Sequence, residues 1–231
     1  MCEYFILNKL SSEVHDSSSD QIICLSKHVY ILPKNNLDYY IHHGLFEAKL
    51  IEWCKQFCSV DTIMLDIGAH TGTYAISLAS HCKHVYAFEP QRMTYYALCG
   101  SVALSNCTNI TCIPDGLGSL TQCGKQRLNI VSADGGGSSL HGHSATTEEI
   151  TVKTLDNFDL RGIGFIKMDV ENNEHEVLLG AVDTIKKSNF PHILFEQNQD
   201  NPELNTFLHG LGYKSIPVSG VSNMFLAVHS H

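Results

Sequence analysis

Five carboxylates are the residues of this chain best placed for chemistry: Asp66, Glu89, Asp115, Asp169 and Glu196. Each closes or directly follows a short apolar run, at 63–67, 84–88, 110–113, 165–168 and 192–195. An acid in such a place can accept hydrogen bonds from sugar hydroxyls, take a proton from a nucleophile, or hold a cation. Two glycines, Gly68 and Gly72, follow the first run and bracket Ala69, His70 and Thr71. Glycine lets the chain swing sharply there and lets a ligand press on bare backbone.

The spacing narrows the ligand. Glu89 lies 21 residues after Gly68, where an acid ending a second strand accepts hydrogen bonds from both hydroxyls of a ribose. A dinucleotide site wants G-x-G-x-x-G, with the pyrophosphate on the helix N-terminus. Here the turn lacks the middle glycine, and Asp66 precedes the first one. A cofactor with a cationic amine and no phosphate suits that turn better than a nicotinamide dinucleotide. S-adenosylmethionine is such a cofactor.

The elements that must position these residues can be read from apolar periodicity. The runs at 63–67 and 84–88 have the character of strands buried on both faces. Residues 73–80 carry apolar side chains at helical spacing, as do 46–57, 93–104, 174–184 and 202–211. Further strands are expected at 110–113, 127–131, 149–152, 165–168, 192–195, 213–217 and 224–228. Residues 22–32 are expected to form one or two short strands outside the main sheet. The serine-rich stretch 11–20 and the glycine-rich stretch 133–144 read as loops. Strands alternating with helices give an α/β fold, a doubly wound, mostly parallel sheet with helices on both faces. In such sheets ligands bind beyond the carboxyl ends of the strands, where all five acids are expected to share one rim. The division expected is an N-terminal extension, 1–36, followed by one catalytic domain, 37–231.

Three motifs carry a resemblance. Asp66-Ile-Gly-Ala-His-Thr-Gly-Thr-Tyr, Ala87-Phe-Glu-Pro and Thr154-Leu-Asp-Asn-Phe occur in order, followed by Phe165-Ile-Lys-Met-Asp-Val-Glu-Asn-Asn-Glu-His-Glu-Val-Leu-Leu-Gly-Ala. The chain resembles the FkbM-type branch of class I S-adenosylmethionine-dependent methyltransferases, which have a Rossmann-like fold, over about residues 37 to 228. That family usually reads D-V-E-G-A-E-x-E-V-L-x-G-A at the last motif. Asp169, Glu171, Glu174, Glu176 and Gly180 are kept, while Asn172 stands where the family usually has Gly and His70 where it usually has Asn. The resemblance implies O-methylation, often of a hydroxyl on a sugar or secondary metabolite.

Site roles follow from both lines of reasoning. Gly68, Ala69, His70 and Thr71 border the methionine part of the donor, and Asp66 helps hold its amine. Glu89, with Pro90 beside it, holds the ribose. The resemblance places Asp115 and Gly116 at the adenine, and Glu47, in a family-like Phe-Glu-Ala context, at the methionine end. A sugar hydroxyl must lose its proton to attack, so a base or a cation is required. Asp169 and Glu196 are the expected catalytic carboxylates, with Asp169 also touching the donor. Asp169, Glu196 and Asn198 form a candidate Mg2+ ligand set, a cation that related sugar O-methyltransferases of this class use. Without metal, Asp169 or a histidine (His70, His141 or His143) is the base. Lys167 is assigned to the opposite side of its strand, away from the site.

Composition bounds the remaining possibilities. With 231 residues, 43% of them hydrophobic, the chain can bury a full core. A net charge of −9 argues against a phosphate-backbone partner, which wants a basic surface. No apolar run is long enough to span a bilayer, and a cytoplasmic location is expected. Nine cysteines, an odd number with no C-x-x-C, read as small buried hydrophobes. The expected function is methyl transfer to a sugar or glycan hydroxyl, with a glycosyltransferase as a possible neighbour in the same process. The alternatives are another small molecule, nucleic acid, or a donor-binding module without catalysis, for which Asn172 is the sequence support.

Overall fold

The computed structural model describes residues 28–132 and 135–230, and the backbone of residues 4–8. The expected loop at 11–20, the start of the expected strands at 22–32, and Ala133 and Asp134 lie outside the described residues.

The chain opens with β1 (Tyr4–Asn8) and β2 (Val29–Pro33), an antiparallel pair outside the main sheet. Then follow α1 (Leu37–His43), α2 (Ala48–Cys54), β3 (Ile63–Ile67), α3 (Thr73–Leu78), β4 (His84–Phe88), α4 (Arg92–Leu104) and β5 (Ile110–Ile113). A small sheet comes next, from β6 (Gly116–Leu117), β7 (Gly124–Ile130) and β8 (Thr146–Lys153). The main alternation resumes with β9 (Ile163–Met168), α5 (Glu174–Leu179), α6 (Val182–Lys187), β10 (His192–Glu196), α7 (Pro202–Gly210), β11 (Tyr213–Pro217) and β12 (Met224–His229). The main sheet has seven strands in the order β11-β12-β10-β9-β3-β4-β5. All its pairings are parallel except those of β12 with β10 and β11.

Strand alternation divides the core. On β10, Leu194 joins the cluster under α2, α3 and α4, while Ile193 and Phe195 join the one under α5, α6 and α7. Helices therefore cover both faces of the sheet, as expected for a doubly wound fold. β2 docks on α4: Val29 N–H donates to Ser105 Oγ at 2.8 Å, Ile31 N–H to Ser101 Oγ at 2.8 Å, and Tyr30 and Leu32 are buried in the core.

The single helix expected at 174–184 is two. A Cβ at Gly180 would overlap the carbonyl oxygen of Gly118, so the chain is pinched there. Asp156, from the Thr-Leu-Asp-Asn-Phe motif, then starts a new helix. Its Oδ1 accepts from Thr184 N–H at 2.8 Å and Thr184 Oγ1 at 2.7 Å, and its Oδ2 from Asp183 N–H at 3.2 Å. This motif is thus a helix cap in the present chain.

Candidate active site

A cavity of about 310 Å³ lies beyond the carboxyl ends of β3, β4 and β9. Its shape starts with the turn after β3. Gly68 takes φ +75°, and a Cβ there would overlap the carbonyl oxygen of Asp169. Gly68 N–H and Ala69 N–H both donate to Phe88 O, at 3.1 and 2.9 Å. His70 then adopts φ +50° and its N–H donates to Glu89 Oε2 at 2.9 Å. Gln91 N–H donates to Glu89 Oε1 at 2.9 Å. The ribose acid is thereby clamped from both sides. Burial pushes its pKa up to about 8, against the pull of those two N–H groups.

Beyond Glu89 the cavity becomes apolar, with Phe88, Leu117, Leu128 and Ile150 in its lining. The last three come from the small sheet. This is a slot for a planar base, with Gly116 and Pro90 beside it. Asp115 lines the same end, and its Oδ2 accepts from Lys153 Nζ at 2.7 Å. At the other end stands Glu47, in a left-handed conformation (φ +55°). Its Oε2 accepts from the Tyr74 hydroxyl at 2.9 Å.

Two residues assigned to the donor do not line the cavity. Asp66 is fully buried; its Oδ2 accepts from Ala75 N–H at 2.9 Å and so satisfies the first turn of α3. Thr71 is fully buried as well. Lys167 requires a correction. Residues two apart on a strand share a face, and Lys167 Nζ sits 3.4 Å from Asp169 Oδ2, 3.4 Å from Gly68 O and 4.0 Å from Asp66 Oδ1. It lies 5.0 Å over the Tyr74 ring. Burial alone would lower its pKa, but Asp169, Asp66 and Glu47 outweigh burial and hold it above the usual lysine range. Lys167 is therefore a fixed ammonium in the cavity wall. The strand period was the signal that finds it.

Asp169 lines the cavity at the mouth. Carboxylate oxygens of Asp169, Glu171 and Glu196 lie within 4.8 Å of one another. Burial, then the charge of Asp169, pushes Glu196 up to about 8, and the same two causes raise Glu171. Asn198 stands beside the cluster: its Nδ2 donates to Glu196 Oε2 at 2.7 Å, and its Oδ1 accepts from Asn223 Nδ2 at 2.8 Å. Glu171 joins Asp169 and Glu196 as a further carboxylate. Glu171 belongs to the motif already singled out, and Asn223 arrives from the loop before β12, 27 residues from Glu196.

Of the histidines, His70 lines the cavity. His141 is exposed, with Nε2 3.2 Å from Asn173 Oδ1, and His143 is exposed outside the cavity lining. The glycine-rich segment is anchored over Glu171, whose carbonyl accepts from Ser139 Oγ at 2.8 Å.

The two departures from the family motif share one property. His70 has φ +50° and Asn172 φ +71°. Asn and His are among the side chains most tolerant of the left-handed region, so both substitutions preserve the backbone path.

The donor set fits S-adenosylmethionine: an acid clamped for a ribose, an apolar slot for adenine, and carboxylates toward the cationic end. Comparisons with known proteins agree. Residues 66–215 match the family described as the methyltransferase FkbM domain. Among solved structures, the methyltransferase FkbM from Methylobacillus flagellatus KT superposes with a TM-score of 0.55 at 20% identity over 74% of this chain. This chain spans only 44% of that protein. SMU.1697c from Streptococcus mutans, in complex with SAH, superposes at TM-score 0.51 and 13% identity, over 78% of this chain and 93% of that one. A candidate rRNA methylase from Clostridium thermocellum superposes at 0.52 and 12%, over 78% and 91%. At such identities these likenesses establish the fold. No curated protein matches the sequence. The family match spans well over half of the chain, and with the class I fold it places this protein in the FkbM family of S-adenosylmethionine-dependent methyltransferases.

Proposed function

We propose that the protein transfers the methyl group of S-adenosylmethionine to a hydroxyl of a sugar or glycan. When bound, the cofactor supplies an electrophilic methyl carbon on a positively charged sulfur. Glu89 holds the ribose hydroxyls, Gly116 and Pro90 with the neighbouring apolar side chains hold the base, and Glu47 faces the methionine end. Asp169 accepts the acceptor's proton, with Lys167 fixing its carboxylate at 3.4 Å and Glu196 behind it to share the proton. The single observation that carries the reading is the position of Asp169, which both lines the donor cavity and belongs to the three-carboxylate cluster.

The neutral character of the acceptor rests on charge. Among the described residues the lining carries Glu47, Asp115, Asp169 and Glu171, with Glu89 held toward its neutral form by burial, against one lysine, Lys167. A phosphate chain approaching such a mouth is repelled, whereas hydroxyl groups find acceptors. A cation-assisted version is favoured by the three oxygens within 4.8 Å of one another, which suits an oxygen-loving divalent ion.

The test is transfer of labelled methyl to a panel of neutral glycans and, in parallel, to ribosomal RNA fragments, with and without EDTA. Label on glycans supports the proposal, and loss with EDTA restored by magnesium selects the cation-assisted version. Label on RNA alone overturns it.

A further inference from the structure

The aromatic wall of the donor cavity extends beyond the cavity itself. Tyr39 on α1 stacks on Phe46 with ring centroids 4.0 Å apart and planes 14° apart. His43, one turn after Tyr39, adds a third ring 4.9 Å away, and Tyr40 meets Phe46 edge-on at 5.1 Å. Tyr39 and Phe46 each leave 39% of their surface open, which puts apolar ring area beside a polar site. Phe46 and Tyr40 line the donor cavity, whereas Tyr39 stands outside it. The ring layer therefore continues the cavity wall outward, next to Glu47. Asp169 and Glu171 line the same cavity, and Glu196 lies with them in the carboxylate cluster.

We propose that this aromatic layer, with Tyr39 as its outer member, is the acceptor subsite and takes the apolar C–H face of a neutral pyranose ring. The inference rests on the function proposed above. Its logic is complementarity. A pyranose has one face of C–H bonds and a rim of hydroxyls. The face covers an aromatic ring without stranding a polar group, and the rim needs hydrogen-bond acceptors, which carboxylates supply. A nucleobase also stacks on rings, but it brings phosphates to a mouth whose one lysine is already paired with Asp66 and Asp169. The layer is preformed by ring contacts within α1 and the turn before α2, so little side-chain entropy is lost on binding.

The experiment uses the full chain loaded with S-adenosylhomocysteine. Saturation-transfer NMR is run with a set of methyl pyranosides and with uridine monophosphate, on wild type, Tyr39→Ala and Tyr39→Trp. Saturation transfer is expected at ring C–H protons of at least one pyranoside, lost in Tyr39→Ala and retained in Tyr39→Trp, with none to uridine monophosphate. In turnover with a methylated glycan, Tyr39→Ala should raise the acceptor KM about three- to tenfold, the strength of an aromatic contact. Its kcat and its affinity for S-adenosylhomocysteine should stay within about twofold, since Tyr39 lies outside the donor cavity. A glycan-methylating enzyme whose acceptor KM ignores Tyr39→Ala overturns the subsite and leaves the function standing. Equal loss of donor affinity makes Tyr39 a support of the fold and also overturns it. No pyranoside bound and no glycan methylated overturns the function, and the subsite with it.

Discussion

The donor half and the acceptor half of the site are built on opposite principles. Around β3 and β4 the backbone contacts of the turn are settled before a ligand arrives. Glu89 is 7% exposed and clamped by two backbone N–H groups, and the glycine turn is pinned to Phe88 O. Around β9 and β10, three carboxylates crowd one another within 4.8 Å, partly exposed, with Lys167 touching only Asp169 among them. The first arrangement recognises one unchanging molecule through fixed geometry. The second stores electrostatic tension that a proton, a cation or a hydroxyl relieves, which is what an acceptor site needs.

Four predictions press on that contrast, from the largest effect down. Lys167 links the halves by charge, through Asp66 on one side and Asp169 on the other. Lys167→Met should destabilise the protein by about 3–5 kcal/mol, because it strands buried Asp66. Urea denaturation checks this, and adding Asp66→Asn should recover much of the loss. A single variant as stable as wild type would show that the halves are not electrostatically joined.

Asp169→Asn should leave donor affinity within a few-fold, yet slow methylation by about 10² or more, the usual scale for loss of a general base. Single-turnover kinetics with labelled donor separates the two. Near-normal turnover would move the chemistry to another residue, His70 being the next in the cavity.

Glu89→Ala should weaken donor binding about tenfold or more by calorimetry, since charge-assisted hydrogen bonds to hydroxyls are lost. Glu89 also predicts a pH effect. Its folded pKa of about 8 lies above the ordinary carboxylate range, so between those values the native state holds a proton that the unfolded state has released. Stability of the donor-free protein therefore falls as pH rises through that window. Glu89→Gln should remove this slope while impairing donor binding, since its amide nitrogen cannot accept the N–H that one carboxylate oxygen accepts. An unchanged slope would mean that Glu89 is charged throughout.

The smallest effects belong to the motif departures. His70→Asn and Asn172→Gly should each change stability by under about 0.5 kcal/mol, because His, Asn and Gly all accept the left-handed backbone. Asn172→Val should cost about 1–3 kcal/mol. A large loss of turnover in Asn172→Gly would assign the side chain a role at the acceptor.

These contrasts also explain which parts of the molecule are legible in the sequence. β3 and β4 coincide with their apolar runs because strands covered on both faces leave an uninterrupted signature. The break between α5 and α6 is not legible. It depends on Gly118 pressing on Gly180 and on Asp156 capping from a distant turn, contacts that local periodicity does not carry. At the site, Glu89 is readable because one strand-turn-helix unit determines its place. Lys167 is misassigned through a lapse in strand parity, and the aromatic layer goes unread because Tyr39 and Phe46 meet through the turn at Gly44, which takes φ +76°.

Gly68 has a wider consequence. Its missing side chain lets the donor turn rest on the peptide of Asp169, so the wall between the methyl source and the proton acceptor is one backbone thick. For protein engineering this separates what can be redesigned from what must be inherited. Redesign for new acceptors would start at Tyr39, the outer ring of the proposed subsite, because it lies outside the donor cavity. A change that lifts β9 by a fraction of an ångström alters reach and register together, and no compensating mutation in the acceptor pocket can restore both.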